Sequence, residues 1–208
     1  MTTSTLLWFL SASVALTLAP GPDNTFIVSQ GIARGRKAAF ASAMGMCSGV
    51  SVHTTAAALG ISAALYSSAL AFAILKYAGV AYLLFLAWKS LGETGAPDTA
   101  VAMEGSLTGW AFFRRGFLMN VVNPKVGMFF LAFLPQFVSK SGGSVPVQMF
   151  TLGVIFMLQA VAVFALIAYL SGSVGVLIQK RPGISKYFAW LTAGIFASLG
   201  LKLALAQR

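Results

Sequence analysis

Apolar residues dominate six separate stretches of the chain. These stretches run approximately over Leu6–Ile32, Ala38–Leu65, Ser68–Leu91, Gly116–Val138, Pro146–Ile178 and Tyr187–Leu205. Each is too long and too uniformly apolar for a buried helix of a water-soluble protein or for the alternating strands of a barrel. A membrane-spanning helix needs about 20 apolar residues. The pattern therefore predicts an all-α integral membrane protein with six transmembrane helices.

One long polar stretch separates the third apolar segment from the fourth. It reads GETGAPDTAVAMEGSLTG, from Gly92 to Gly109, and it holds three of the four acidic residues. We expect a flexible loop here, within a single transmembrane domain. The loop of about residues 92–109 then divides the chain into a first repeat of about residues 1–91 and a second of about residues 110–208.

Composition agrees with a protein that lies mostly in lipid. Of the 208 residues, 58% are hydrophobic and only 9% are charged, whereas soluble domains carry about 25% charged residues. The net charge of +10 comes from short basic runs between apolar segments. Such runs favour contact with anionic lipid headgroups and control of topology over binding of nucleic acid. The chain has a single cysteine and no phosphate-binding loop motif, so we expect no cofactor, no metal and no ATP-driven step.

The basic residues also predict an orientation. Positive residues accumulate in cytoplasmic loops, and one side of the predicted bundle has nine of them against three on the other. The nine are Arg34, Arg36, Lys37, Lys89, Arg114, Arg115, Lys180, Arg181 and Lys186; the three are Lys140, Lys202 and Arg208. Both termini are then predicted outside, and the two three-helix halves enter from opposite sides, which is the topology of an inverted repeat.

Two of the six segments contain helix breakers at matching places. The first is interrupted at Pro20-Gly21-Pro22, and the fourth at NVVNPKVG, Asn120–Gly127, which includes Pro124. A proline removes a backbone donor and clashes with the preceding turn. Interrupted helices at corresponding positions of two inverted halves are typical of a transporter binding site. The alternative is a pair of packed proline kinks.

Each interruption carries a charge of opposite sign. Asp23 and Lys125 each lie ~15 Å from the predicted cytoplasmic end of their segment, near the middle of a hydrocarbon layer about 30 Å thick. An ionised group at that depth is costly unless it is paired or hydrated. We expect both side chains to face one polar cavity, either as a direct pair or across a bound zwitterion. A purely structural ion pair is the alternative.

Two further polar residues lie inside apolar segments. Ala41, Gly45, Gly49 and His53 repeat every four residues and so share one helix face, and Gly45-x-x-x-Gly49 predicts close helix packing there. His53 should therefore point into the bundle, as a proton relay together with Asp23 or, more commonly, as a hydrogen-bonded packing residue. Gln159 in the fifth segment is a weaker candidate for a site.

Three stretches resemble the LysE/RhtB family of amino-acid exporters over nearly the whole chain. They are APGPDNTFIVSQGIARGRKAAFASAMGMCSGVSVHTTAAALG, LKYAGVAYLLFLAWKSL and FFRRGFLMNVVNPKVGMFFLAFLPQFV. The resemblance implies export of amino acids or close derivatives from the bacterial cytoplasm across the inner membrane, driven by an ion gradient. It places motif positions at Pro20, Gly21, Pro22, Asn123, Pro124 and Lys125.

The residues at the two breaks form the expected substrate-binding set. Asp23, in the first turn after the break, suits a substrate ammonium or a proton, and Asn24 beside it can both donate and accept. Lys125 and the amides after Pro124 suit a carboxylate. The full expected set is Asp23, Asn24, Asn120, Asn123 and Lys125.

The sequence pattern is compatible with several functions. A neutral substrate of the homoserine or threonine type is favoured because only one acid lies within the predicted membrane segments. Export of basic amino acids and a small-solute channel of the same architecture are the alternatives. An intramembrane enzyme is disfavoured, since there is one cysteine and no serine elbow. The expected partners are the amino acid and the lipid bilayer, with a homo-oligomer left open.

Overall fold

Every regular element that the structure describes is helical. The computed structural model describes residues 1–19, 21–67, 69–92, 108–139, 142–180 and 182–205. The helices are α1 (Thr3–Leu18), α2 (Pro22–Arg34), α3 (Arg36–Ser67), α4 (Ala69–Gly92), α5 (Gly109–Val121), α6 (Pro124–Met128), α7 (Val145–Lys180) and α8 (Pro182–Leu205). A π-helical stretch (Phe129–Phe133) and a 3-10 stretch (Leu134–Phe137) continue α6. The predicted all-helical class is therefore confirmed.

The six apolar stretches coincide with the helices. The first corresponds to α1 and α2, the fourth to α5, α6 and their continuation, and each of the others to one helix. Within the described part of the chain, one unbroken helix is long and apolar enough to cross a membrane, at Val145–Ser171, and the number rises to three if each bent pair counts as one span. Residues 93–107 of the predicted polar loop (Gly92–Gly109) and Pro20 lie outside the described residues, whereas Gly92 is the last residue of α4 and Gly109 the first of α5.

The first predicted interruption is a real break between α1 and α2. α1 ends at Leu18, and α2 begins with Pro22 as its first residue. Gly21 between them has an extended backbone, with φ 175° and ψ −178°. A proline is well placed at the start of a helix because its missing N–H has no partner to lose there. The two helix axes bend by more than 40°.

The second predicted interruption is also a break, between α5 and α6. Asn123 caps α6, since its side-chain oxygen accepts a hydrogen bond from the N–H of Lys125 at 2.9 Å. Pro124 follows as the first helical residue, as Pro22 does in α2. The axes bend by 48°. Farther on, Pro135 lies in the 3-10 stretch, where its missing donor prevents a continuous α-helix.

A close contact between α3 and α5 forms one wall of the bundle. A Cβ atom on Gly45 would collide with the carbonyl oxygen of Phe113, and one on Gly116 would collide with the carbonyl oxygen of Ser42. Glycine on both helices therefore lets the two backbones touch. The sequence predicted the seam on α3 correctly, but it did not identify Gly116 on α5 as its counterpart.

Helix α7 packs against α1, α2 and α3, and α4 packs against α8. A cluster of phenylalanine rings fills the space between α1, α7 and the irregular continuation of α6, with ring centroids 5.1–6.2 Å apart. Its members are Phe9, Phe129, Phe130, Phe133, Phe137 and Phe156. Offset and edge contacts of this kind stabilise beyond the apolar area that they bury, so this cluster holds the second broken segment against the first.

Candidate functional site

Asp23 lies in the first turn of α2, directly after Pro22. Its side chain is buried, with 2% of the residue exposed. The N-terminus of a helix carries a partial positive charge and unpaired N–H groups, so it stabilises a carboxylate. The predicted place of Asp23 in the first turn is confirmed.

Lys125 occupies the equivalent position of the other break. It is the second residue of α6, directly after Pro124, just as Asp23 is the second residue of α2. Lys125 is buried, with 5% of its surface exposed. A Cβ atom on Gly21 would lie 3.1 Å from Lys125 Nζ. Gly21 therefore leaves the space that the ammonium group occupies.

Asp23, Asn123 and Lys125 form one buried network that joins the two breaks. Asn123 Nδ2 donates to Asp23 Oδ1 at 2.7 Å, and Lys125 Nζ lies 3.9 Å from Asp23 Oδ2. The two charges thus pair directly in this structure. Two charges without bulk water are stable only when they are matched and further hydrogen-bonded, and the Asn123 amide supplies such a bond.

Lys125 also donates hydrogen bonds to the C-terminal end of α1. The last carbonyls of a helix have no partner within it and need one from elsewhere. Lys125 Nζ donates to the carbonyl oxygens of Leu16, at 3.4 Å, and Ala19, at 3.2 Å. A cation is favoured at this negative end of the helix dipole. The ammonium group therefore stabilises a helix end as well as a carboxylate.

Asn24 completes the capping of α1. Its Nδ2 lies within hydrogen-bonding distance of the carbonyl oxygens of Thr17, at 3.1 Å, Leu18, at 3.2 Å, and Ala19, at 2.9 Å. Together with Lys125 it provides partners for the carbonyls of residues 16–19. The sequence assigned the Asn24 side chain to the substrate; in this structure its nitrogen holds the end of α1.

Asn120 and His53 form a second group on the α3–α5 wall. Asn120 is buried, and its backbone carbonyl lies 2.9 Å from His53 Nε2. Because a carbonyl only accepts, His53 donates from Nε2. Asn120 Oδ1 lies beside Gly49, where a Cβ atom would be 2.8 Å away. The structure therefore places the Asn120 side chain against α3, whereas Asn123 contacts Asp23.

His53 points into the bundle, as its helix face predicted. Replacing it by Gln keeps a donor toward the Asn120 carbonyl and removes the ionisable imidazole. We expect export to survive this replacement with its pH dependence unchanged, since the observed bond is one that a neutral amide can replace. Transport by His53→Gln at several pH values, normalised to protein in the membrane, tests this. Loss of transport with normal insertion would instead assign proton relay to His53.

Thr17 is a buried polar residue near the broken end of α1 that the sequence analysis did not single out. It is buried in α1, and its hydroxyl donates to the carbonyl of Ser13 at 2.9 Å. Gln159 Nε2 of α7 donates to Thr17 Oγ1 at 2.9 Å. The signal in the sequence is faint, because Thr17 is one of several hydroxyl residues in the first segment.

Comparison with known proteins identifies one protein family and several similar membrane proteins. The model of the LysE type translocator family matches residues 14–207. An uncharacterized membrane protein of Vibrio cholerae is 31% identical over 202 residues, which cover 97% of each chain. No solved structure matches the chain significantly.

Several relatives carry functional names. The leucine efflux protein of Salmonella typhimurium is 24% identical over 199 residues, which cover 96% of this chain and 94% of that protein. The homoserine/homoserine lactone efflux protein of the same organism is 34% identical over 133 residues, which cover 63% of this chain and 64% of that protein.

Proposed function

Because the chain belongs to the LysE type translocator family, we propose that it is a secondary transporter that exports neutral amino acids or close derivatives from the cytoplasm. It is a multi-pass membrane protein and a transporter, not an enzyme. The proposed substrates are of the homoserine or threonine type, and the proposed membrane is the bacterial inner membrane.

The observation that carries the proposal is the ion pair between the two breaks. Asp23 and Lys125 are the second residues of two helices that each begin with a proline after an interruption. The partner of each charge thus lies in the other broken segment. Discontinuous helices of this kind form the substrate and ion sites of many secondary transporters. Movement of one segment against the other would change this network directly, which suits a transport cycle.

We propose that Asp23, Asn24, Asn120, Asn123 and Lys125 contact the substrate at some stage of that cycle. Asp23 and Lys125 are buried and paired in the conformation described. An amino acid carries one ammonium and one carboxylate, so it can replace each charge as the partner of the other. Exchange of an internal pair for a bound zwitterion leaves no net charge at the site, which limits the electrostatic penalty.

A neutral substrate fits the available charge. Asp23 is the only acidic residue outside the polar loop. A basic amino acid carries a second cation and would need a second buried anion for the same balance. Among the relatives with functional names, one is called an efflux protein for leucine and another an efflux protein for homoserine and its lactone. Export of basic amino acids and a channel remain the alternative functions.

The proposed architecture is six spans arranged as two inverted repeats, of about residues 1–91 and 110–208. The matched breaks and the bias of basic residues toward one side support it. An ion gradient is the proposed driving force, and the chain contains no nucleotide-binding loop.

Overexpression should protect cells against toxic concentrations of neutral amino acids and raise their extracellular accumulation several-fold. A panel with homoserine, threonine, leucine, lysine and arginine, compared with empty-vector cells, tests the substrate class. Protection against lysine and arginine alone would favour the basic alternative. Counterflow in proteoliposomes separates carrier from channel, since only a carrier is stimulated by substrate on the opposite side.

A further inference from the structure

Two amide side chains beside the ion pair meet at Thr17. Asn24 reaches the Thr17 carbonyl from α2, and Gln159 reaches the Thr17 hydroxyl from α7. In both amides the oxygen is buried and has no hydrogen-bond partner among the residues that the structure describes. Buried polar atoms normally have a partner, so two orphan oxygens next to one residue need an explanation.

The orientation of the Gln159 amide is fixed by its neighbours. The hydroxyl of Thr17 has one hydrogen, and it donates that hydrogen to the Ser13 carbonyl. Thr17 Oγ1 can therefore only accept from Gln159, so the amide nitrogen must face it. Exchange of the amide nitrogen and oxygen, the usual ambiguity of such side chains, would place two acceptors against each other. Oε1 of Gln159 must consequently point away from Thr17.

The same reasoning fixes Asn24. Its nitrogen faces three backbone carbonyls, which only accept. An exchange of its nitrogen and oxygen would remove this donor from the three carbonyls, of which only that of Ala19 also accepts from Lys125, and would bring four acceptors together. Both orphan atoms are thus acceptors by necessity.

The surrounding charge favours a cation near these oxygens. The carbonyl end of α1 carries the negative end of the helix dipole. The Ala19 carbonyl accepts from both Asn24 and Lys125, so the Asn24 amide is adjacent to the Asp23–Lys125 pair, and Thr17 links it to the Gln159 amide. Asp23 offsets the charge of Lys125, and the two amide oxygens remain acceptors without a donor among the described residues.

Resting on the proposed function, we propose that Asn24 Oδ1 and Gln159 Oε1 form a recognition site for a small monovalent cation. The cation is the primary ammonium group of the exported amino acid or a coupling alkali-metal ion, and both chemistries take oxygen ligands near unwound helix ends. This assigns to Gln159 a direct contact with the transported species. Asn24 provides the second oxygen while its nitrogen holds α1.

Gln159→Met is the informative variant. Methionine has a similar shape and removes the orphan oxygen. Thr17 keeps its own bond to Ser13 after the change, so the fold loses only one hydrogen bond. Asn24 is unsuitable for the test because its nitrogen contacts three carbonyls of α1.

The chain offers a matched control on the same helix. Gln148 is also buried in α7, but its oxygen accepts from the N–H of Ser139 and its nitrogen donates to the carbonyls of Ser139 and Gly143. Gln148→Met should lower the melting temperature without changing the affinity for any solute. Gln159→Met should lower the affinity for the transported solute without changing the melting temperature.

Calorimetric titration of the purified full-length chain in lipid nanodiscs tests the proposal. The probes are L-homoserine and L-leucine, their analogues without the amino group (4-hydroxybutanoate and 4-methylpentanoate), and sodium chloride balanced with choline chloride. One charge-assisted hydrogen bond corresponds to about tenfold or more in affinity. We expect Gln159→Met to weaken binding at least tenfold for the amino acids and not for the analogues, which identifies the ammonium group.

A tenfold loss confined to sodium, with amino-acid affinity unchanged at saturating sodium, would support the same site with the coupling ion as its ligand. If Gln159→Met binds the amino acids and sodium like the wild-type chain, the oxygen holds only a structural water and the proposal is wrong. If Gln159→Met does not accumulate in the membrane, Gln159→Asn replaces it in the same titrations. Asparagine keeps the amide group, but its side chain is one methylene shorter, so its oxygen no longer reaches the same position. Absence of amino-acid export by the wild-type chain would instead contradict the proposed function, and the sodium titration would still test this site.

Discussion

Asp23→Asn and Lys125→Met should each reduce export by about a hundredfold or more. Removal of one partner from a buried ion pair leaves an uncompensated charge that costs roughly 3–5 kcal/mol, and each 1.4 kcal/mol corresponds to about a tenfold change in an equilibrium. Lys125→Met also deprives the carbonyls of Leu16 and Ala19 of a donor. We expect the amount of protein in the membrane to fall less than transport does.

The double variant separates a structural pair from a substrate site. With both charges removed, no orphan charge remains, so folding should recover in either case. A purely structural pair predicts that transport recovers as well. We expect folding to recover without transport, because the proposed site then lacks both partners of the zwitterion.

Lys202→Met is the matched control for Lys125→Met. Lys202 is exposed, and its ammonium group lies 3.9 Å from the ring centroid of Trp8. Its replacement should leave export close to wild type. Initial efflux rates in vesicles, divided by the amount of protein, are the measurement. Near-normal export by both single variants would refute the site and leave the breaks as packing kinks.

The second large effect concerns the α3–α5 contact. Gly45→Ala and Gly116→Ala each place a methyl group against a backbone carbonyl oxygen, of Phe113 and Ser42 respectively. A backbone oxygen cannot rotate away as a side chain can, so the helices must separate. Overpacking of this kind typically costs about 1–3 kcal/mol, and here it also displaces the wall that holds Asn120 and His53.

Gly194→Ala in α8 is the control for the glycine variants, because a Cβ atom there meets nothing within 4 Å. It should melt like the wild-type chain, or slightly higher because alanine favours a helix. Thermal unfolding in detergent, followed by size-exclusion chromatography, measures the difference. Gly45→Ala or Gly116→Ala with the stability of Gly194→Ala would show that the helices do not meet as described.

The sequence predicted the features that repeat along a single helix or that break it. The apolar stretches predicted the helices, and the prolines predicted both interruptions. The four-residue spacing predicted the glycine face of α3. The similar depths of Asp23 and Lys125 predicted their meeting, because burial of a charge in lipid strongly restricts where it can lie.

The remaining features depend on partners that the sequence pattern cannot identify. The C-terminal end of α1 is capped by Lys125, more than 100 residues away, and by the Asn24 amide, which the sequence analysis assigned to the substrate. Backbone carbonyls are present at every position, so no residue pattern marks those of residues 16–19 as acceptors. The contacts of His53 with the Asn120 carbonyl and of Gln159 with Thr17 also join residues that are far apart in the sequence, and no residue pattern marks them.

The dependence of Asp23 on Lys125 also affects how the protein is made. A ribosome adds about 5–20 residues per second, and the two residues are separated by 101 others. Asp23 therefore exists for about 5–20 seconds before Lys125 is synthesised. During that time the first broken segment holds a carboxylate and carbonyls without their final partners, so it needs water or the insertion machinery beside it. The chain reaches its stable state in lipid only when the fourth segment has entered.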